Sequence, residues 1–160
     1  MRIVILGIGN VLMTDEGVGV RVVDELQSRF RFPPEIEIVD GGTSGMELLE
    51  DLSHLDHLFV VDAVRSGDPP ATLTRLENEE VPAFFQTRLS PHQLGLSDVL
   101  ATLLLMEAYP KHLVLLGCEP KSLETHMGLS PEVEAKVEPL IEAVLKELAA
   151  IGVAPVSGFA

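Results

Sequence analysis

Glu16, Asp62 and His92 are the residues of this sequence whose types and positions could gather into a site for a divalent cation. Glu16 follows the apolar run Ile3-Val4-Ile5-Leu6 and the loop that opens with Gly7-Ile8-Gly9-Asn10. Asp62 stands directly after a second run, Leu58-Phe59-Val60-Val61. His92 lies in Ser90-Pro91-His92-Gln93, where serine fits an N-cap, proline the first helical position, and Gln93 closes a capping box. Short continuous apolar runs read as buried parallel strands. If the strands run parallel, Glu16 and Asp62 project from one edge of the sheet, the edge where open α/β sheets bind ligands. His92 joins them if its helix starts there. Two carboxylates and an imidazole suit a borderline metal such as nickel or zinc. A helix N-terminus also favours neutral imidazole, the form that binds metal. Each residue has a plainer reading as well: glutamate in a first helical turn complements the helix dipole, aspartate at a strand end serves a turn, and one histidine at a helix start is common.

The elements that must position these residues alternate between strand and helix. Val18, Val22, Leu26 and Phe30 form an apolar row at four-residue steps, which predicts a first helix starting near Thr14 or Asp15, both good N-caps. Pro33-Pro34 ends it. Glu35 to Val39 alternates as a second strand and runs into Asp40-Gly41-Gly42. Ser44 and Glu47 carry a capping-box signature for a short helix with Leu48, Leu49 and Leu52. Thr72 to Leu76 reads as a polar edge strand. Val99, Leu100, Leu103 and Leu104 give the helix opened by Ser90 a core face, and Leu113 to Leu116 is a last buried strand. Ser130-Pro131 opens a C-terminal helix with Val133, Val137, Leu140, Val144 and Leu148 inward and a kink at Pro139. This pattern predicts a three-layer α/β/α sandwich around a twisted, mostly parallel sheet of about five strands. Residues 1–160 read as one domain, with a frayed tail over 151–160.

At 46% hydrophobic residues the chain has enough apolar surface for a core. A net charge of −14 argues against nucleic acid and anionic membranes as partners. No apolar run approaches the roughly 20 residues of a spanning helix, and Met1-Arg2 leads straight into the first strand without a signal-peptide pattern. The lone cysteine, Cys118, excludes an internal disulfide and fits a reducing cytoplasm.

A glycine-bearing first turn also invites a dinucleotide. The fingerprint needs glycine at its first, third and sixth positions; here these are Gly7, Gly9 and Leu12, and a side chain at the last should obstruct strand–helix packing. Asp15 and Glu16 would repel a pyrophosphate, although Asp40 stands where a ribose-binding acid belongs.

The blocks just described resemble those of the nickel–iron hydrogenase maturation proteases over nearly the whole chain. They are Gly7-Ile8-Gly9-Asn10 with Asp15-Glu16-Gly17-Val18-Gly19, Asp40-Gly41-Gly42-Thr43-Ser44-Gly45, Val60-Val61-Asp62-Ala63, Ser90 to Leu96, and Gly117 to Pro120 followed by Leu123-Glu124 and Gly128-Leu129-Ser130. The resemblance implies an endopeptidase that removes a C-terminal extension from the hydrogenase large-subunit precursor once nickel is in place. It implies Glu16, Asp62 and His92 as metal-contacting residues and nickel carried by the substrate. Zinc or cadmium could occupy such a site in vitro.

No serine or cysteine is paired with a histidine in a recognisable nucleophile motif: Gly42-Thr43-Ser44-Gly45 has the wrong spacing for an elbow, and a Cys118–His126 dyad competes with a buried core thiol. An aspartyl-type or metal-assisted hydrolysis is the natural chemistry, with Asp40, Glu16, Asp62 and His92 as candidate catalytic groups. Asp40 would act as base or peptide-orienting group, or would only cap the glycine turn. Gly41, Gly42 and Thr43 are candidates for binding the substrate backbone. His126 could support the site or simply be exposed, and His54, His57 and His112 fall at the wrong ends of their strands. The rival reading is a non-catalytic nickel-sensing assembly module; a dinucleotide-binding protein comes third.

Overall fold

The computed structural model describes residues 1–88 and 94–158. Five strands make one sheet: β1 (Ile3–Ile8), β3 (Ile36–Gly42), β4 (His57–Ala63), β5 (Leu73–Glu77) and β6 (His112–Cys118), in the order β3-β1-β4-β6-β5. The first four run parallel; only the edge strand β5 is antiparallel. β1, β4 and β6 are covered on both faces, which is why their sequences are continuous apolar runs rather than alternating ones. On one face lie α1 (Val18–Arg29) and α5 (Val137–Ala150), packing Val22, Leu26, Leu140 and Val144 onto Ile5, Phe59 and Val114. On the other lie α2 (Glu80–Arg88) and α3 (Leu94–Leu105), packing Val81, Phe85, Val99 and Leu103 onto Leu58, Val60 and Leu115. The expected three-layer sandwich is therefore present.

Several local expectations are corrected. Thr14 and Asp15 do not cap the first helix: a 3-10 turn, Thr14–Gly17, precedes α1, whose N-cap is Gly17. The segment after Gly45 is a 3-10 turn, Met46–Leu48, without a side-chain cap, so the Ser44–Glu47 box does not form. The C-terminal helix is two pieces. Ser130 caps α4 (Pro131–Glu134), accepting from the Val133 N–H at 3.4 Å, and the chain then restarts at α5. Pro139 falls in the first turn of α5, where its missing N–H costs nothing, so it starts a helix rather than kinking one. Leu104 is 65% exposed; Leu96, Val99, Leu100 and Leu103 form the buried row of α3. The start expected at Ser90 lies outside the described residues. Residues 151–158 are tied down rather than frayed. Val153 is buried, and β7 (Ser157–Gly158) pairs antiparallel with β2 (Phe30–Arg31), where Phe30 leaves the helix.

Bidentate ion pairs fasten the α1 face. Arg21 reaches Glu134 at 2.9 and 3.0 Å, and Arg75 of β5 reaches Glu147 of α5 at 2.7 and 2.9 Å.

Candidate functional site

The carboxyl ends of β1, β3 and β4 converge on one edge, and their connections build the site. The helix start is drawn tightly against β4: a Cβ on Gly19 would lie 2.1 Å from the Val61 carbonyl oxygen. In the loop after β1, Gly9 has φ +132°, and a Cβ there would lie 1.8 Å from the Glu16 carbonyl oxygen. These glycines bring the 3-10 turn onto the sheet, so Glu16 is buried at 4% exposure and Asp62, within β4, at 2%. Glu16 Oε1 accepts from the Asn10 N–H at 3.2 Å.

Two buried carboxylates at one sheet edge act on each other. Burial pushes the Asp62 carboxyl well above its ordinary value; the Ala63 N–H opposes this, and the charge of Glu16 adds to it. A divalent cation at the pair would relieve both the desolvation and the repulsion. Glu16 is close enough to Asp62 for its charge to act there. His92 lies outside the described residues. Among the described residues no group of three or more His, Cys, Asp or Glu side chains is placed to hold a metal ion.

A cavity of ≈ 450 Å³ opens beside Glu16. Gly9, Asn10 and Met13 form one wall, Gly42, Thr43 and Ser44 another, and Leu48, Leu52, Leu96 and Val99 an apolar floor. The two glycine loops are joined directly, Gly9 N–H donating to the Gly42 carbonyl at 2.8 Å. Gly42 has φ +50°, and Asp40 Oδ1 accepts from its N–H at 3.0 Å, an Asx turn that sets the loop's shape. Asp40 is exposed and is not among the lining residues. Gly41 does not face the cavity: a Cβ on it would lie 2.9 Å from Leu6 Cδ1, and it packs on the core. Of the substrate-binding candidates, then, Gly42 and Thr43 line the space and Gly41 supports it.

Asp15 has a role that sequence reasoning missed. It is fully buried, and its carboxylate gathers the loop that precedes α4. Oδ2 accepts from Lys121 N–H at 2.9 Å, Ser122 N–H at 3.0 Å and Ser130 Oγ at 2.8 Å; Oδ1 accepts from Ser130 N–H at 2.7 Å. The same loop pairs with the first one through Met13 and His126, with Thr14 N–H donating to the His126 carbonyl. Glu119 does similar work for the turn after β4, accepting from the N–H groups of Ser66 and Asp68. Nothing in the sequence sets Asp15 apart from an ordinary acid at a helix start, because its partners come from the distant loop at residues 121–130.

Other candidates fall away. The Cys118 thiol is buried in the α1-side core and pushed by burial up to about 11, and His126 is exposed, which leaves no reactive dyad. Leu12 is 52% exposed and obstructs no packing, because this loop is longer than a dinucleotide loop and the helix starts beyond it; what fills the phosphate position is the buried pair Asp15 and Glu16. His57 and His112 meet at the opposite end of the sheet, Nδ1 to Nδ1 at 2.8 Å, with Glu77 Oε2 2.7 Å from His112 Nε2.

A family model described as hydrogenase maturation protease matches residues 20–147. The chain belongs to the hydrogenase maturation protease family. It is 52% identical to the hydrogenase 2 maturation protease of Escherichia coli strain K12 over 154 residues, covering 96% of this chain and 94% of that one. It superposes on the hydrogenase-maturating endopeptidase HybD from E. coli with a TM-score of 0.93 and 51% identity, covering 97% and 96% of the two chains. A hydrogenase 2 maturation peptidase from a Thaumarchaeota archaeon matches with a TM-score of 0.71 and 33% identity, over 92% of this chain and 98% of that one. The protease is accordingly a hydrolase, an endopeptidase on a mostly parallel α/β fold. No described helix of this maturation protease is long and apolar enough to cross a membrane.

Proposed function

We propose that this maturation protease removes the C-terminal extension of a nickel–iron hydrogenase large-subunit precursor in the cytoplasm, after nickel has been inserted. The observation that carries the reading is buried Glu16, which lines a cavity walled by Gly42 and Thr43 and whose charge acts on buried Asp62. Nickel is part of the substrate in this account. Burial and the neighbouring charge disfavour the ionised form of Asp62 before the substrate arrives. A docked dication favours the ionised form of Asp62, so the pair prefers a loaded precursor to an empty one. His92 is assigned as the third contact. The set leaves coordination positions for the substrate's own ligands. The metal would polarise the scissile carbonyl or activate the attacking water, and no activated serine or cysteine stands among the described residues to do so instead. Gly42 and Thr43 orient the peptide backbone, and Asp40 holds their turn. Zinc or cadmium would occupy the same contacts in vitro.

The experiment offers purified precursor, with and without nickel, to the wild type and to Asp62→Asn and His92→Ala, and follows subunit size by gel. Cleavage of the loaded precursor by wild type alone supports the reading. Tight binding without any cut indicates a nickel-sensing assembly module instead.

A further inference from the structure

The open edge of β3 leads straight into the site and carries hydrogen-bonding groups that face away from the sheet. β3 is an outer strand, with β1 on one side and no described strand on the other. The register pairs Ile3 with Ile36, and Ile3 N–H donates to the Glu35 carbonyl at 3.0 Å. In a parallel ladder this alternation turns the N–H and C=O groups of Glu37 and Val39 towards β1, and those of Ile36, Ile38 and Asp40 outward. Ile36 spends its outward N–H on the Pro33 carbonyl. Ile38 and Asp40 remain as two consecutive rungs for another chain.

We infer that β3 accepts an extended, basic segment of the substrate protein as an added strand, aligning it for the cavity beside Gly42 and Thr43. The occupant is deduced from two features. A strand edge is complementary only to an extended backbone. Its flanks are acidic: Glu37 and Asp40 are exposed on opposite faces of the strand, and Asp24 of α1 is close enough to feel the charge of Asp40. Burial chiefly, and then the charges of Asp40 and Glu25, raise the Asp24 carboxyl, with Arg21 opposing them. The same charges repel a second copy of this chain, whose net charge is −14, and so guard the edge against self-pairing. Lysine or arginine at alternate positions of the incoming strand would meet them.

The inference rests on the proposed function, and two arms keep them separable. In the first, cleavage of nickel-loaded precursor is measured for wild type, Ile38→Pro and Asp24→Asn/Glu37→Gln. Ile38→Pro removes the outward N–H together with part of a side chain packed on the core, so in a variant shown to be folded KM should rise about two- to tenfold with kcat nearly unchanged. The charge variant should raise KM about two- to fivefold at low salt, and the difference should vanish at high salt. Wild-type KM in a folded Ile38→Pro overturns the backbone pairing, and wild-type KM in the charge variant overturns the basic occupant. In the second arm, amide exchange is read in 15N-labelled Asp62→Asn saturated with the same precursor, which decides the matter if Ile38→Pro does not fold. Slower exchange at Ile38 and Asp40, with Val39 unchanged, is the signature of an added strand. Unchanged exchange at both amides overturns it. If wild type neither binds nor cuts the precursor, the proposed function fails, and the docking falls with it; normal cutting with unchanged β3 amides removes the docking alone.

Discussion

Asp15→Ala removes the carboxylate that holds two loops together, and its cost can be worked from the geometry. Four donors converge on Asp15: three backbone N–H groups and the Ser130 hydroxyl. Each hydrogen bond to a charged group contributes about 1.5–3 kcal/mol, which would sum to at least about 6 kcal/mol if the bonds were additive. Two effects reduce this. Lys121 is exposed and Ser122 and Ser130 are half-buried, so water can reach some of the donors. Removing the acid also relieves the burial of its charge. A net loss of about 3–4 kcal/mol follows, the range for removing one member of a buried charged cluster. For a domain of this size that lowers Tm by about 6–16 °C. Asp15→Asn should cost about half as much, because its amide can still accept at one oxygen but must turn an N–H towards a donor. Denaturant unfolding of the three proteins measures this, and amide exchange locates it: Lys121, Ser122 and Ser130 should lose protection before the β1–β4 core. Losses under about 1 kcal/mol for Asp15→Ala would show that the loop is held by other contacts and refute the reasoning.

Asp62→Asn should abolish cleavage while leaving the fold at least as stable as wild type at neutral pH. An acid whose folded-state value is raised stabilises most below its unfolded value and loses that contribution as pH rises through the interval to the folded value; asparagine lacks this loss, so urea melts at pH 5 and pH 8 should show the variant's advantage growing with pH. His57 has the opposite sign: burial chiefly, then His112, lower it against the opposing charge of Asp56, so its contribution is complete above the unfolded value of about 6.5 and is lost as pH falls towards the folded one. His57→Gln should flatten the acid side of the stability profile, and an unaltered slope would contradict this. Gly9→Ala meets a carbonyl and a positive φ together and should cost about 3–5 kcal/mol, visible as low soluble yield and low Tm. Gly42→Ala has φ +50° and no contact closer than 3.8 Å, so it should cost only about 1 kcal/mol while reducing cleavage several-fold; equal losses in both would make Gly42 purely structural.

The parallel core was legible because buried strands write themselves as unbroken apolar runs, and Asp62 was legible because an acid directly after Val60-Val61 interrupts one. Glu16 could be placed from its loop, but its burial could not: that depends on Gly9 and Gly19 letting the turn sink onto the sheet, a contact between segments far apart in sequence. α2 escaped because, among its residues with described burial, only Val81 and Phe85 are buried, and Pro82 sits near its start. The two-residue strands β2 and β7 carry no periodicity at all and exist through each other. Asp15 reads in sequence like any helix-capping acid, and only the return of residues 121–130 shows what it holds. The glycines around Asp40 split for a similar reason, since Gly41 faces Leu6 and Leu48 in the core and Gly42 faces the cavity.

The central claim is that the buried acids Glu16 and Asp62 read nickel on the substrate. Its most direct measurement is a side-by-side time course of nickel-loaded and nickel-free precursor with wild type, Glu16→Gln and Asp62→Asn, resolved by mass. One C-terminal peptide should be released, from the loaded precursor with wild type only. Comparable cleavage of the nickel-free precursor by wild type, or full activity of either folded variant on the loaded one, would contradict it.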